Sequence, residues 1–221
     1  MKKIALEIHR SLAAIKTKNA TSFRILRREW SKQLQNKPGK AIISLARHLV
    51  PFGFWERIMA YEIILYHREA QQNLRLNDIV VLGRGMNSWA EVDCFASYVA
   101  GPAWRERRIP DSVVCRWAHS QNRWWRRFAL VSTVPLNNRA RGGTGDTSRT
   151  LKICRLLIND RDDMVVKALS WSLRELSKRD RVAVDRFLNK YLNLFAPRVK
   201  REVQNKLDTG LKNPRRSRSS S

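Results

Sequence analysis

The chain has 221 residues, room for one domain and within reach of two, and at 43% hydrophobic it can bury a core. Its 44 Lys and Arg against 19 Asp and Glu leave a net charge of +25. That field favours polyanions, and the eight Trp residues tilt the choice from an anionic membrane surface toward nucleic acid.

The first residues, MKKIALEIHRSLAAIK, carry Glu7, His9 and Arg10 inside their apolar pattern. They read as an amphipathic helix and not as a signal peptide. No apolar run reaches membrane-spanning length, and no single Lys-rich amphipathic anchor stands out for a membrane surface. From there helical periodicity predicts helices near 2–16, 21–35, 41–49, 54–68, 71–80, 87–100, 110–120, 122–135, 148–159, 162–178, 180–192 and 196–208. Pro38-Gly39, Pro51 with Gly53, Gly83 with Gly85, Gly101-Pro102 and Pro110 mark breaks between them. No stretch alternates with a period of two, so no sheet is expected.

Several helices open in a similar rhythm, at Trp55, Trp89, Trp124, Val165 and Arg198, which stand 34, 35, 41 and 33 residues apart. Two antiparallel helices with short turns fill such a period. The expected fold is therefore all-α: a curved α-solenoid of HEAT-like helix pairs with a concave basic groove, one domain over 1–209. The longest interval holds NNRARGGTGDTS, residues 137–148, read as a mobile polar loop. Residues 210–221 read as a disordered basic tail.

The helices that open each pair carry the candidate site. Near 87–100, Trp89 and Asp93 are four apart and share a face, with Val92, Phe95 and Val99 beside them as core. The surroundings, Ala96, Ser97 and Ala100, are small enough to leave room for a ligand; alternatively Asp93 simply pairs with an arginine. Near 122–135, Arg127 sits among Trp124, Phe128, Leu130, Val131 and Val134. A charge in such company needs a phosphate or a carboxylate, with Glu91 and Asp93 as candidates. Arg123 and Arg126 add to the field. In 162–178, Val165, Leu169, Leu173 and Leu176 form the buried side. At about 100° per residue, Lys167, Trp171, Arg174 and Lys178 return to the opposite side. An indole framed by three cations either meets a ligand or covers a neighbouring helix.

Indoles, a carboxylate and surrounding cations answer to a nucleotide in DNA whose base is positively charged. The segments NSWAEVDCFASYVAG, NRWWRRFALVSTV and MVVKALSWSLRELSK resemble the signature segments of the AlkD family of bacterial DNA glycosylases. The resemblance runs in helix order over about residues 20–208. It implies HEAT-like repeats around double-stranded DNA and removal of alkylated purines such as 3-methyladenine and 7-methylguanine. It further implies that the base is not flipped into a pocket. The matching positions are Trp89, Asp93, Arg127 and Trp171, with Arg123, Arg126, Lys167, Arg174 and Lys178 as DNA contacts. A monomer in the cytoplasm is expected. No metal or other cofactor is, because His9, His48, His67 and His119 lack ligand spacing, as do Cys94, Cys115 and Cys154, which fit reduced thiols. The competing class is a non-catalytic HEAT scaffold that binds nucleic acid.

Overall fold

A computed structural model describes residues 1–214; from residue 215 the expected basic tail lies outside the described residues. Every regular element among the described residues is helical, and the chain divides into two compact units, one ending at Pro110 and one beginning at Asp111. Each is an all-α, solenoid-like stack in which helices pack mainly on near neighbours in sequence.

The first unit comprises α1 (Lys2–Ala13), α2 (Ala20–Leu34), α3 (Gly39–Leu49), α4 (Phe54–Leu65), α5 (Arg68–Asn73), α6 (Leu76–Gly83), α7 (Trp89–Phe95) and α8 (Gly101–Arg105). Side-chain caps begin two of these helices where the pattern predicts. Asn19 accepts the Thr21 and Ser22 N–H groups ahead of α2, and Ser88 accepts that of Glu91 ahead of α7. Ile8, Leu12, Ile42, Leu45, Leu49, Met59 and Ile64 fill the core between α1, α3 and α4.

Two expectations need correction here. The helix expected over 71–80 is two helices, α5 and α6. The Asp78 carboxylate accepts the Arg75 N–H at 2.8 Å, which opens a new helix after Leu74. The break expected at Gly101-Pro102 does not occur. A π-helical turn over Ala96–Ala100 joins α7 directly to α8, with the Gly101 N–H bonded to the Ala96 carbonyl. In a regular helix Pro102 would strike the carbonyl four residues back and forfeit a hydrogen bond, and the widened turn relieves both. Pro102, Ala103 and Trp104 are buried.

The second unit comprises α9 (Asp111–Ala118), α10 (Arg123–Val131), α11 (Val134–Asn137), α12 (Thr147–Leu156), α13 (Asp163–Leu176), α14 (Arg181–Lys190) and α15 (Pro197–Thr209). Its centre is α13. Val165, Leu169, Leu173 and Leu176 are each at most 1% exposed, as the periodicity predicts. Two small residues let neighbours close in on its flanks. Ser170 donates to Glu202 of α15 at 2.6 Å, and Ser172 donates to the Leu130 carbonyl of α10 at 2.8 Å. Two residues along a helix turn the side chain by about 200°, so α13 is held between α10 and α15. Trp117, Trp125 and Phe128 form an aromatic cluster between α9 and α10.

The loop at 137–148 is not a loose connection. Asn137 is buried and donates to the Thr133 carbonyl and the Thr150 hydroxyl, while its Oδ1 accepts the Asp146 N–H. Arg179 donates to the carbonyls of Asn137 and Gly143 at 2.9 and 2.6 Å. Polar residues read as solvated in the sequence are instead spent on one another, and Gly142 and Gly145 take the left-handed conformations that permit it.

Candidate functional site

In the first unit, Trp89 opens α7 and is 58% exposed, and Asp93 stands one turn on, half-buried. The start of α7 is locked from below. Glu91, 3% exposed, accepts the N–H groups of Asn87 and Ser88 and the Ser88 hydroxyl at 2.9–3.0 Å with one oxygen. Its other oxygen pairs with Arg57 Nε of α4 at 3.2 Å. Arg57 is itself buried and also donates to the Arg84 carbonyl at 2.9 Å. The indole of Trp89 thus projects from a helix end that two buried, mutually paired charges hold in place. Ser88-Trp89-Ala90-Glu91 is a capping-box pattern, a signal that could have identified Glu91 from the sequence. Glu91 had been one candidate partner for Arg127; both its oxygens are occupied within the first unit. Ala96, Ser97 and Ala100, expected as a small open surface beside the pair, are buried. The widened turn after Phe95 carries them into the packed region.

In the second unit, Arg127 is 5% exposed among Phe128, Leu130 and Val131, as its apolar company predicts. Its Nη1 donates to the Met164 carbonyl in the first turn of α13 at 2.6 Å. Trp124 and Trp171 are half-buried. The Arg123 guanidinium lies over the Trp124 ring, 4.8 Å from its centroid.

The five cations expected at DNA all have carboxylate neighbours. Arg123 lies 3.5 Å from Asp162, Lys167 2.6 Å from Asp163 and Lys178 2.8 Å from Glu175. The first two pairs are exposed and weak, worth at most about 1 kcal/mol each, so a phosphate can replace the carboxylate; the Lys178 pair rests on a buried Glu175. Arg126 is held more firmly, by Asp160 at 2.7 Å and by the carbonyls of Ser120 and Gln121. Arg174 donates to Ser170 at 3.1 Å and lies 3.9 Å from Glu202, and burial lowers its pKa. Asp163 is held below the usual carboxylate range, first by its hydrogen bond from Lys167 and then by the charges of Lys167, Arg198 and Arg127. Sequence periodicity had no means of finding the partners of Arg126 and Arg174, because Asp160 and Glu202 reach back across 34 and 28 residues of chain.

Among the described residues no three His, Cys, Asp or Glu side chains gather as a metal site, and no helix is long and apolar enough to cross a membrane. The chemistry on offer is an exposed indole beside a carboxylate in one unit, and in the other two further indoles, a buried arginine and exchangeable cations. The model of the family described as DNA alkylation repair enzyme matches residues 17–207. No curated protein and no solved structure matches the chain.

Proposed function

The chain belongs to the DNA alkylation repair enzyme family, and from that premise we propose that it is a glycosylase hydrolysing the N-glycosidic bond of positively charged alkylated purines in duplex DNA. The observation that carries this reading is the Trp89–Asp93 pair: an exposed indole and a carboxylate on one face of a helix whose start is locked by Glu91 and Arg57. Reactive groups are useful when rigid elements hold them.

A purine alkylated at N3 or N7 carries a positive charge. When its bond to the sugar C1′ breaks, the bonding electrons leave with the base, which departs neutral. No general acid is needed, so one carboxylate suffices. The sugar is left as an oxocarbenium ion. Asp93 stabilises that cation and orients the water whose oxygen bonds to C1′; the water's proton passes to the carboxylate or to solvent. Trp89 and Trp171 are the indoles whose faces attract positive charge on the damaged DNA. Arg127 holds a backbone phosphate, and Arg123 and Lys167 exchange carboxylates for phosphates, with Arg126, Arg174 and Lys178 adding to the field. The base leaves from in or near the stack, without transfer to a pocket, and the protein works as a monomer.

The test is release of free base from methylated duplex DNA by the wild type and by Asp93→Asn. Release by the wild type is expected, with at least a tenfold loss in the variant, about 1.4 kcal/mol of barrier, and unchanged DNA binding. Binding without release by either protein would replace the enzyme with a scaffold. Efficient release of a neutral base such as uracil would defeat the charge-driven mechanism.

A further inference from the structure

The first unit holds a polar cavity of about 460 Å³ between α3 and the α5–α6 junction. Lys40, Ser44 and Arg47 line it from one face of α3, and Asn73, Arg75 and Asp78 line it from the junction. Its wall is built closely. Gly39, at the start of α3, touches the backbone of Glu69 and Ala70, where an added Cβ would stand 2.6–2.7 Å away. No side chain can intervene there, so α3 and α5 meet backbone to backbone and the cavity opens beside the contact.

The charges in this cavity are not balanced. Three cations face one carboxylate, and that carboxylate is used up. Asp78 Oδ1 accepts Arg47 Nη2 at 2.5 Å, and Oδ2 accepts the Arg75 N–H at 2.8 Å. Lys40 and Arg75 make no ion pair among the described residues, unlike Arg123, Arg126, Lys167, Arg174 and Lys178. Arg47 Nε is covered and has no hydrogen-bond partner, which is costly for a buried donor. The guanidinium is pinned by one edge with donors left over. Ile43 alone adds an apolar wall, too little to hold a base or an acyl chain.

We infer that this cavity is a phosphate-binding site, formed by Lys40, Arg47 and Arg75 with Ser44 and Asn73 as further donors. Arginine pinned by a carboxylate presents a planar set of N–H groups to phosphate oxygens, and two unpaired cations supply the charge. The site lies on residues apart from Trp89 and Asp93 and does not depend on the glycosylase reading. Its phosphate is either a backbone phosphate of nucleic acid or a free phosphate ion.

Calorimetric titration separates the two sources. The proteins are the full chain, Lys40→Gln/Arg75→Gln, which leaves the Arg47–Asp78 pair intact, and Lys152→Gln/Lys190→Gln as a control of equal charge change on exposed residues. Circular dichroism checks that each is folded. The ligands are inorganic phosphate, pyrophosphate and an undamaged duplex. Saturable phosphate or pyrophosphate binding by the wild type and the control, weakened at least tenfold in Lys40→Gln/Arg75→Gln, assigns a free-phosphate site. No binding of the small ions, with duplex affinity lowered and its salt slope reduced by about 1 only in Lys40→Gln/Arg75→Gln, assigns a backbone contact. Equal effects in both double variants, or no effect in either, overturn the inference. Because base release is not read, failure here leaves the glycosylase reading untouched, and the reverse holds too.

Discussion

Gly143→Ala should destabilise the second unit well beyond an ordinary loop substitution. A Cβ at Gly143 would lie 2.6 Å from the Pro135 carbonyl oxygen and 2.7 Å from Asn137 N and Leu136 C. All three are backbone atoms, so no side chain can swing aside, and contacts below 3.0 Å are not tolerated. The loop must move outward. That strains the bonds from the Gly143 N–H to the Asn138 carbonyl, from the Gly145 N–H to the Leu136 carbonyl, and from Arg179 to the Gly143 carbonyl. Overpacking costs about 1–3 kcal/mol, and the absence of any rotamer escape puts this case near the upper end. At about 2–4 °C per kcal/mol for a chain of this size, the midpoint of thermal unfolding should fall by about 6–12 °C. Gly210→Ala is the control: its φ is 75° but nothing lies within 4 Å. It meets only the left-handed penalty of about 1–2 kcal/mol, a fall of about 2–8 °C. Calorimetry on the three proteins decides. A Gly143→Ala midpoint no lower than that of Gly210→Ala would mean that the loop yields freely, and the ordered-loop account would be wrong.

Glu91→Ala should cost about 3 kcal/mol, because it leaves Arg57 buried without its carboxylate and uncaps α7; a urea-unfolding loss below about 1 kcal/mol would contradict the locked helix start. Asp180 accepts the Ala183 N–H at the start of α14 and the Thr147 hydroxyl, and these bonds, in that order, hold its pKa below the usual carboxylate range. A depressed folded-state value means stability that is complete above about pH 4 and is lost as pH falls through that value. Asp180→Ala should therefore cost about 1 kcal/mol near neutrality, with the gap from wild type narrowing below about pH 4; a gap constant from pH 6 to pH 2 would refute the linkage. Burial pushes the Cys154 thiol up to about 12, so iodoacetamide at pH 8 should label the half-exposed Cys115 and spare Cys154 until the protein is denatured. Mass spectrometry showing equal labelling of the two in the native protein would be inconsistent with that burial.

The helices were legible because periodicity reports which side of a helix meets the core. Val165, Leu169, Leu173 and Leu176 announced the buried side of α13, and Arg127 announced itself by its apolar company. What periodicity does not carry is partnership across the chain. Lys167 and Lys178 read as DNA contacts, and the pairs they make with Asp163 and Glu175 are a matter of side-chain reach that the pattern of apolar positions does not report. Arg126 reads as a free cation because Asp160 lies beyond two intervening helices, α11 and α12. The 137–148 loop was misread for a related reason. Asn137, Asp146 and Arg179 satisfy one another, and composition alone cannot distinguish polar groups bound to water from polar groups bound to protein. Pro102 was read as a stop because the rule against proline inside a helix presumes regular geometry.

That widened turn sets the phase of everything after it. Counting about 100° per residue from Trp89, the core residues Val92, Phe95 and Val99 centre near about 280°. In an unbroken helix Trp104 would fall near about 60°, about 140° from the core bearing. A π turn absorbs about one residue, and Trp104 returns to about 320°, where it is 1% exposed. One helix thereby presents one tryptophan outward and seats another inward, because the turn brings Trp104 to about 40° from the core bearing where regular spacing would leave it about 140° away. The turn therefore holds one residue more than a regular helix would. Losing a single residue there would restore regular geometry and keep Trp104 near about 320°, whereas gaining one would carry that anchor to about 60° and out of the core without altering any residue at Trp89 or Asp93.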